Sequence, residues 1–148
     1  MTSKERHEKR FQRRKQKRQQ KAIKRAKKYT NIEDIFGFFP MIEAYKRCKQ
    51  NVTWKASTQM FISNLCENSK YQSNLLLAGK WKSKGFYEFD IIERGKPRHI
   101  RSVDFAEKGV QRSLCDNCLI PILQPSLIYD NSATLPGKGT MFSLNRFT

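Results

Sequence analysis

Lys96, Arg98, Arg101 and Arg112 are cations close together in sequence, and Lys138 stands between Gly137 and Gly139. A guanidinium offers a bidentate fork and an ammonium a point charge, so both residue types suit phosphate chains. Strand alternation across Lys96-Pro97-Arg98-His99-Ile100 puts Arg98 on the face of Ile100, with Lys96 at a turn. A solvated basic hairpin explains the same residues. Gly137-Lys138-Gly139-Thr140 suggests a nucleotide-hydrolase phosphate loop, which requires G-x-x-x-x-G-K-[ST]. Here the lysine lies between the glycines and the upstream glycine is absent, so the match fails. Two glycines still permit close backbone approach, and a following helix could turn its N-terminal amides toward an anion. An ordinary basic turn is the competing explanation.

Other chemistries have weaker footing. Cys115-Asp116-Asn117-Cys118 is a lone C-x-x-C, whereas structural zinc needs four ligands. Cys48, Cys66 or a histidine would have to converge on it, and neither His7 nor His99 has ligand spacing. All four cysteines are expected as free thiols, with this pair as small apolar residues of a helix. Glu88 and Asp90 share one strand face, Glu33 and Asp34 are adjacent, and Asp104, Asp116 and Asp130 are scattered. None forms the paired carboxylates of a two-metal site. No Ser/His/Asp or Cys/His arrangement is visible.

The elements that position these residues begin with an arm. Residues 1–28 hold fourteen Lys and Arg against Glu5 and Glu8, a net +12 of the +17 carried by all 148 residues. Such a balance points to a polyanionic partner, nucleic acid above all. The arm is rich in helix formers, but like-charge repulsion predicts disorder in isolation and a helix once phosphates neutralise it. A solubilising tail or basic targeting signal is the alternative. The sequence lacks a signal peptide and any apolar run long enough to span a bilayer, so no membrane is expected and the predicted location is cytoplasmic.

From Tyr29 the composition changes. Ile35, Phe38, Phe39, Ile42 and Tyr45 have helical spacing, interrupted at Pro40, which predicts two short pieces with one buried face. A second helix is predicted from about Trp54 to Ala78, its aromatic residues in the core and Gly79 as the stop. Tyr87, Phe89 and Ile91 alternate with Glu88 and Asp90, as in a half-buried strand, and Ile100 and Val103 mark a second. Arg94-Gly95-Lys96-Pro97 joins them as the turn of a β-hairpin with a basic tip. Asp104 and Glu107 fit a capping box, after which Val110, Leu114 and Cys118 line a helix limited by Pro121. Phe142 and Phe147 begin a last helical pattern that nothing closes, so the chain is expected to be truncated.

In this order, "FDIIERGKPRHIRSVDFAEKGVQRSLCDNCLIPILQPSLIYDNSATLPGKGT" resembles the N-terminal conserved blocks of bacterial and phage reverse transcriptases, the RNA-directed DNA polymerases of group II introns, retrons and diversity-generating elements. The match runs through Lys96-Pro97-Arg98-His99-Ile100, the following helix, an apolar-Pro stretch and the Gly-Lys-Gly loop. It covers residues 86–148 well and the region from about 32 weakly. Glu107-Lys108-Gly109-Val110 stands where relatives usually have Asp-Arg-Val, and Asn131-Ser132-Ala133-Thr134-Leu135-Pro136 replaces a Tyr-Gly-Phe-Arg-Pro-type segment, as in a prophage-associated subgroup.

The resemblance implies an α+β fold, mainly helical with a β-hairpin. It would be the incomplete fingers part of a right-hand polymerase over residues 31–148, with a basic arm at 1–30 and the palm absent. Arg98, then Lys96, would meet the triphosphate of a dNTP. Arg101, Arg112, Gly137, Lys138 and Gly139 would lie along an RNA or DNA template, and Arg13, Arg14, Lys17, Arg18, Lys21 and Arg25 would grip RNA. Magnesium belongs to the complete family enzyme, so the chain would bind no cofactor and would be inactive unless a separate palm-containing chain joined it. A standalone, non-enzymatic RNA- or DNA-binding protein is the alternative function, and a zinc-dependent adaptor a remote third.

Overall fold

A computed structural model describes residues 2–131 and 135–147. The fold is α+β and mainly helical. Helix α1 (Ser3–Lys28) is followed by α2 (Ile32–Phe36), α3 (Phe38–Cys48), α4 (Ala56–Ser63) and α5 (Leu65–Leu77). Strands β1 (Tyr87–Glu93) and β2 (Lys96–Ser102) form an antiparallel pair. Then come α6 (Phe105–Leu114), a π-helical turn (Cys115–Leu119), α7 (Ile120–Leu123), a 3-10 turn (Gln124–Ser126) and α8 (Thr140–Phe147). No described helix is long and apolar enough to cross a membrane. Residues 132–134 of the Asn131–Pro136 segment and the side chain of Phe147 lie outside the described residues.

The core sits where α3 crosses α6, with Met41, Tyr45, Phe105 and Val110 buried together. Phe61 of α4 stacks beside Tyr45 and Phe105, with centroids 4.5 and 5.3 Å away. Tyr45 donates its hydroxyl proton to the Ala106 carbonyl at 3.0 Å, so its one polar atom is satisfied. Burial pushes the phenol pKa well above its ordinary value. Gly109 makes this packing possible, because a Cβ there would fall inside the Tyr45 ring. The glycine in Glu107-Lys108-Gly109-Val110 therefore has a packing reason.

Several expectations are corrected. The 32–48 region is two pieces as predicted, but it breaks at Gly37, and Pro40 sits in the first turn of α3, where its missing N–H costs nothing. Ile35 and Tyr45 are buried whereas Phe39 faces solvent; Met41 and Ala44 take its place. The predicted 54–78 helix divides at Asn64, and Trp54 is 74% exposed, outside the core. Pro121 does not stop α6. The helix widens into the π-helical turn just upstream and continues through α7, which absorbs the carbonyl that a proline ring would strike.

Residues 3–28 form one continuous helix, one of the two states expected for the arm. Its start explains part of this: Thr2 and Glu5 make a reciprocal capping box, at 3.3 and 2.9 Å. No residue of α1 is buried, and among the described residues its main contact with the body is with α7.

Candidate nucleic-acid interface

The hairpin is tighter than the sequence suggests. Glu93 pairs directly with Lys96, leaving the two-residue turn Arg94-Gly95 with φ of 51° and 75°. Positive φ at both positions matches the type I′ turn favoured by the twist of paired strands. Lys96 and Pro97 thus belong to β2. The strand was predicted half-buried, yet every residue of β1 is exposed, and among the described residues no helix packs extensively on either face.

Register sorts the side chains. One face carries Tyr87, Phe89, Ile91 and Glu93, opposite Ser102, Ile100, Arg98 and Lys96. The other carries Glu88, Asp90 and Ile92, opposite Arg101, His99 and Pro97. The first face is therefore aromatic and aliphatic with two cations toward the tip, and the second is largely ionic. Arg98 Nε pairs with Glu93 at 2.9 Å across the diagonal. Arg101 Nε pairs with Glu88 at 2.8 Å, and His99 lies between Asp90 (2.8 Å) and Glu88 (3.5 Å). All these groups are exposed, so a phosphate can displace the carboxylates at little cost.

The hairpin root is fixed to the start of α6. Asp104 is the N-cap as predicted, but the capping box does not close. Its carboxylate takes Lys84 Nζ at 3.1 Å, which raises the lysine pKa. Buried Glu107 accepts from Ser83 Oγ at 2.9 Å and from the Lys84 amide. Both carboxylates thus serve the strand entry instead of the helix end.

Arg112 sits on the exposed side of α6 with Nε 2.8 Å from Asp116, whose same oxygen takes Arg47 Nη1 at 2.8 Å. Sequence reasoning missed Arg47, since nothing local announces a partner so distant in the chain. Lys138 is differently placed. Leu135-Pro136-Gly137-Lys138 is a tight turn, with φ +73° at Gly137 and the Lys138 amide 3.0 Å from the Leu135 carbonyl. The Lys138 ammonium folds back onto the Tyr129 carbonyl at 2.5 Å and lies 4.2 Å from the Tyr129 ring centroid and 5.1 Å from that of Phe142. Gly139 supplies the first carbonyl of α8. The small cleft beside Lys138 is walled by residues of 124–136 and contains no hairpin residue.

The arm residues fall into two sets. Arg13, Arg14 and Lys17, with Arg10, surround one hollow on the free part of α1. Arg18, Lys21 and Arg25, with Lys24 and Lys28, face Pro125–Ile128 across a cleft of about 1000 Å³. Arg25 Nη2 donates to Ser126 Oγ at 3.4 Å, and its buried Nε has no partner.

The structure thus brings Lys96 and Arg98 together on one face, puts Arg101 on the other, and separates Arg112, the Gly137–Gly139 turn and the arm. Cys118 is buried, Cys115 half-buried and Cys66 exposed; burial raises the thiol pKa of Cys48. Among the described residues no group of three or more His, Cys, Asp or Glu side chains converges to hold a metal ion. No protein-family model matches the chain, and no curated protein matches it.

Proposed function

We propose that the chain binds nucleic acid and a nucleoside triphosphate as the fingers portion of a reverse transcriptase of bacterial or phage type. The observation that carries this reading is the projecting hairpin, with Lys96 and Arg98 on one face near its tip and its root fixed to α6. Arg98 offers the fork and Lys96 the point charge for a triphosphate, while α1 grips the template backbone. In this reading the fingers bind and position, and phosphoryl transfer belongs to the carboxylates of a palm in addition to these residues. Purified protein with Mg²⁺, dNTPs and a primed RNA template is expected to give no extension; extension overturns the division of labour. When a palm-containing chain is supplied, Arg98→Ala should weaken dNTP use at least 10-fold, the loss of roughly one charge-assisted contact.

The position of Lys138 favours a second reading, a standalone basic RNA- or DNA-binding protein. Its ammonium is engaged by Tyr129 and shares no described cleft with the hairpin cations. Binding of a labelled dNTP that disappears in Arg98→Ala supports the fingers reading. Nucleic-acid binding indifferent to dNTP supports the standalone one.

A further inference from the structure

The hairpin leaves an apolar face without cover. Tyr87 is 57% and Phe89 48% exposed, with Ile91 beside them and Ile100 across from Phe89. An isolated two-stranded hairpin is marginal in water unless something packs on its apolar side. A second copy is a poor occupant, because each chain brings +17 and both cations of this face into the contact.

We propose that this face is a stacking platform for the unpaired bases of a single-stranded nucleic acid. Tyr87 and Phe89 stand two residues apart on one strand face, a step of about 7 Å. That is about twice the 3.4 Å spacing of stacked bases, so two unstacked neighbours can each take one ring. Every base has a π-face, and aromatic stacking beside a cationic track is the recurring way to hold single strands without sequence preference. The track is present on the same face: Arg98 and Lys96 continue the line from the rings toward the tip. A duplex hides its bases and gains nothing from the rings. The arm differs, since α1 has one aromatic residue, Phe11, and can grip phosphates without distinguishing strands from duplexes.

This inference rests on the nucleic-acid reading above and adds that the hairpin face takes unpaired bases, with Lys96 and Arg98 meeting strand phosphates when no triphosphate occupies them. The test uses the full chain and a fluorescein-labelled oligothymidylate, an abasic strand of equal charge, and a duplex of equal length. Anisotropy is read at about 300 mM salt, where the arm's phosphate contacts are weakened. Wild type is expected to bind the base-bearing strand about 10-fold or more tightly than the abasic strand. Phe89→Ala and the Tyr87→Ala/Phe89→Ala pair should progressively erase that preference, whereas Phe89→Trp should keep it. Both positions are exposed, and circular dichroism checks that the fold is unchanged. If the variants keep the preference, lose duplex binding equally, or merely convert a dimer to a monomer, the platform is overturned while polyanion binding stands. If wild type binds none of the three at 50 mM salt, the nucleic-acid reading itself fails.

Discussion

At Gly109 the backbone of α6 lies against the Tyr45 ring, so this residue governs how closely α3 and α6 meet. Gly109→Ala improves helix propensity by up to about 1 kcal/mol, yet forces a methyl into an occupied ring position. The overpacking cost, typically about 1–3 kcal/mol, wins. A lower urea midpoint than wild type is the expected result. Tyr45 makes a second prediction. Burial raises its folded pKa above the roughly 10 of an unfolded tyrosine, so the neutral phenol contributes fully below pH 10. Above that, the unfolded chain releases its proton first and stability falls with pH. The Cys48 thiol, also raised by burial, starts the same loss nearer pH 8.5. Urea midpoints at pH 8 and 11 should therefore converge in Tyr45→Phe relative to wild type. At neutral pH that variant costs about 1 kcal/mol, because the Ala106 carbonyl loses a donor.

Among the elements, α1 is the one whose behaviour is most open to salt. Its 26 residues extend about 39 Å with nothing buried, and almost all of its charge is positive. An arm making about six phosphate contacts loses on the order of 10³-fold in affinity between 50 and 200 mM salt. Deleting residues 1–28 should flatten that dependence, read by anisotropy with labelled RNA; a full-length protein with a flat response sinks the arm's role. The elements also mark where sequence reading worked. Alternation at Tyr87, Phe89 and Ile91 and the turn composition of Arg94-Gly95-Lys96-Pro97 made the hairpin legible, since both signals are local, although the turn itself is only Arg94-Gly95. Its exposure was not, because alternation reports two unlike faces and says nothing of what covers the apolar one. Pro121 misled for the complementary reason. A proline rule assumes an α-helical ladder, and the π-helical turn changes the ladder.

For the whole molecule, charge was legible from composition and the division of that charge was not. The arm, the hairpin tip and the Lys138 turn all looked like cations awaiting phosphate. Only three-dimensional placement separates exposed Arg98 from Lys138, whose ammonium is held by Tyr129, and pairs Arg112 with Arg47 through Asp116. Tyr129→Ala removes the ring beneath the Lys138 ammonium while keeping the backbone carbonyl that accepts from it, so it should loosen Lys138 and leave the hairpin untouched. A rise in RNA affinity of about two- to fivefold is expected, lost again in Tyr129→Ala/Lys138→Ala.

Both ends of the hairpin are tied to the start of α6. Glu107 holds the chain entering β1, and β2 runs within three residues into the same helix. With the tip about 23 Å away, the tongue works as a lever on a short fulcrum. A tilt of 5° at the root moves the tip by about 2 Å, so whatever the tip grasps pulls directly on Phe105 and the aromatic stack beneath it.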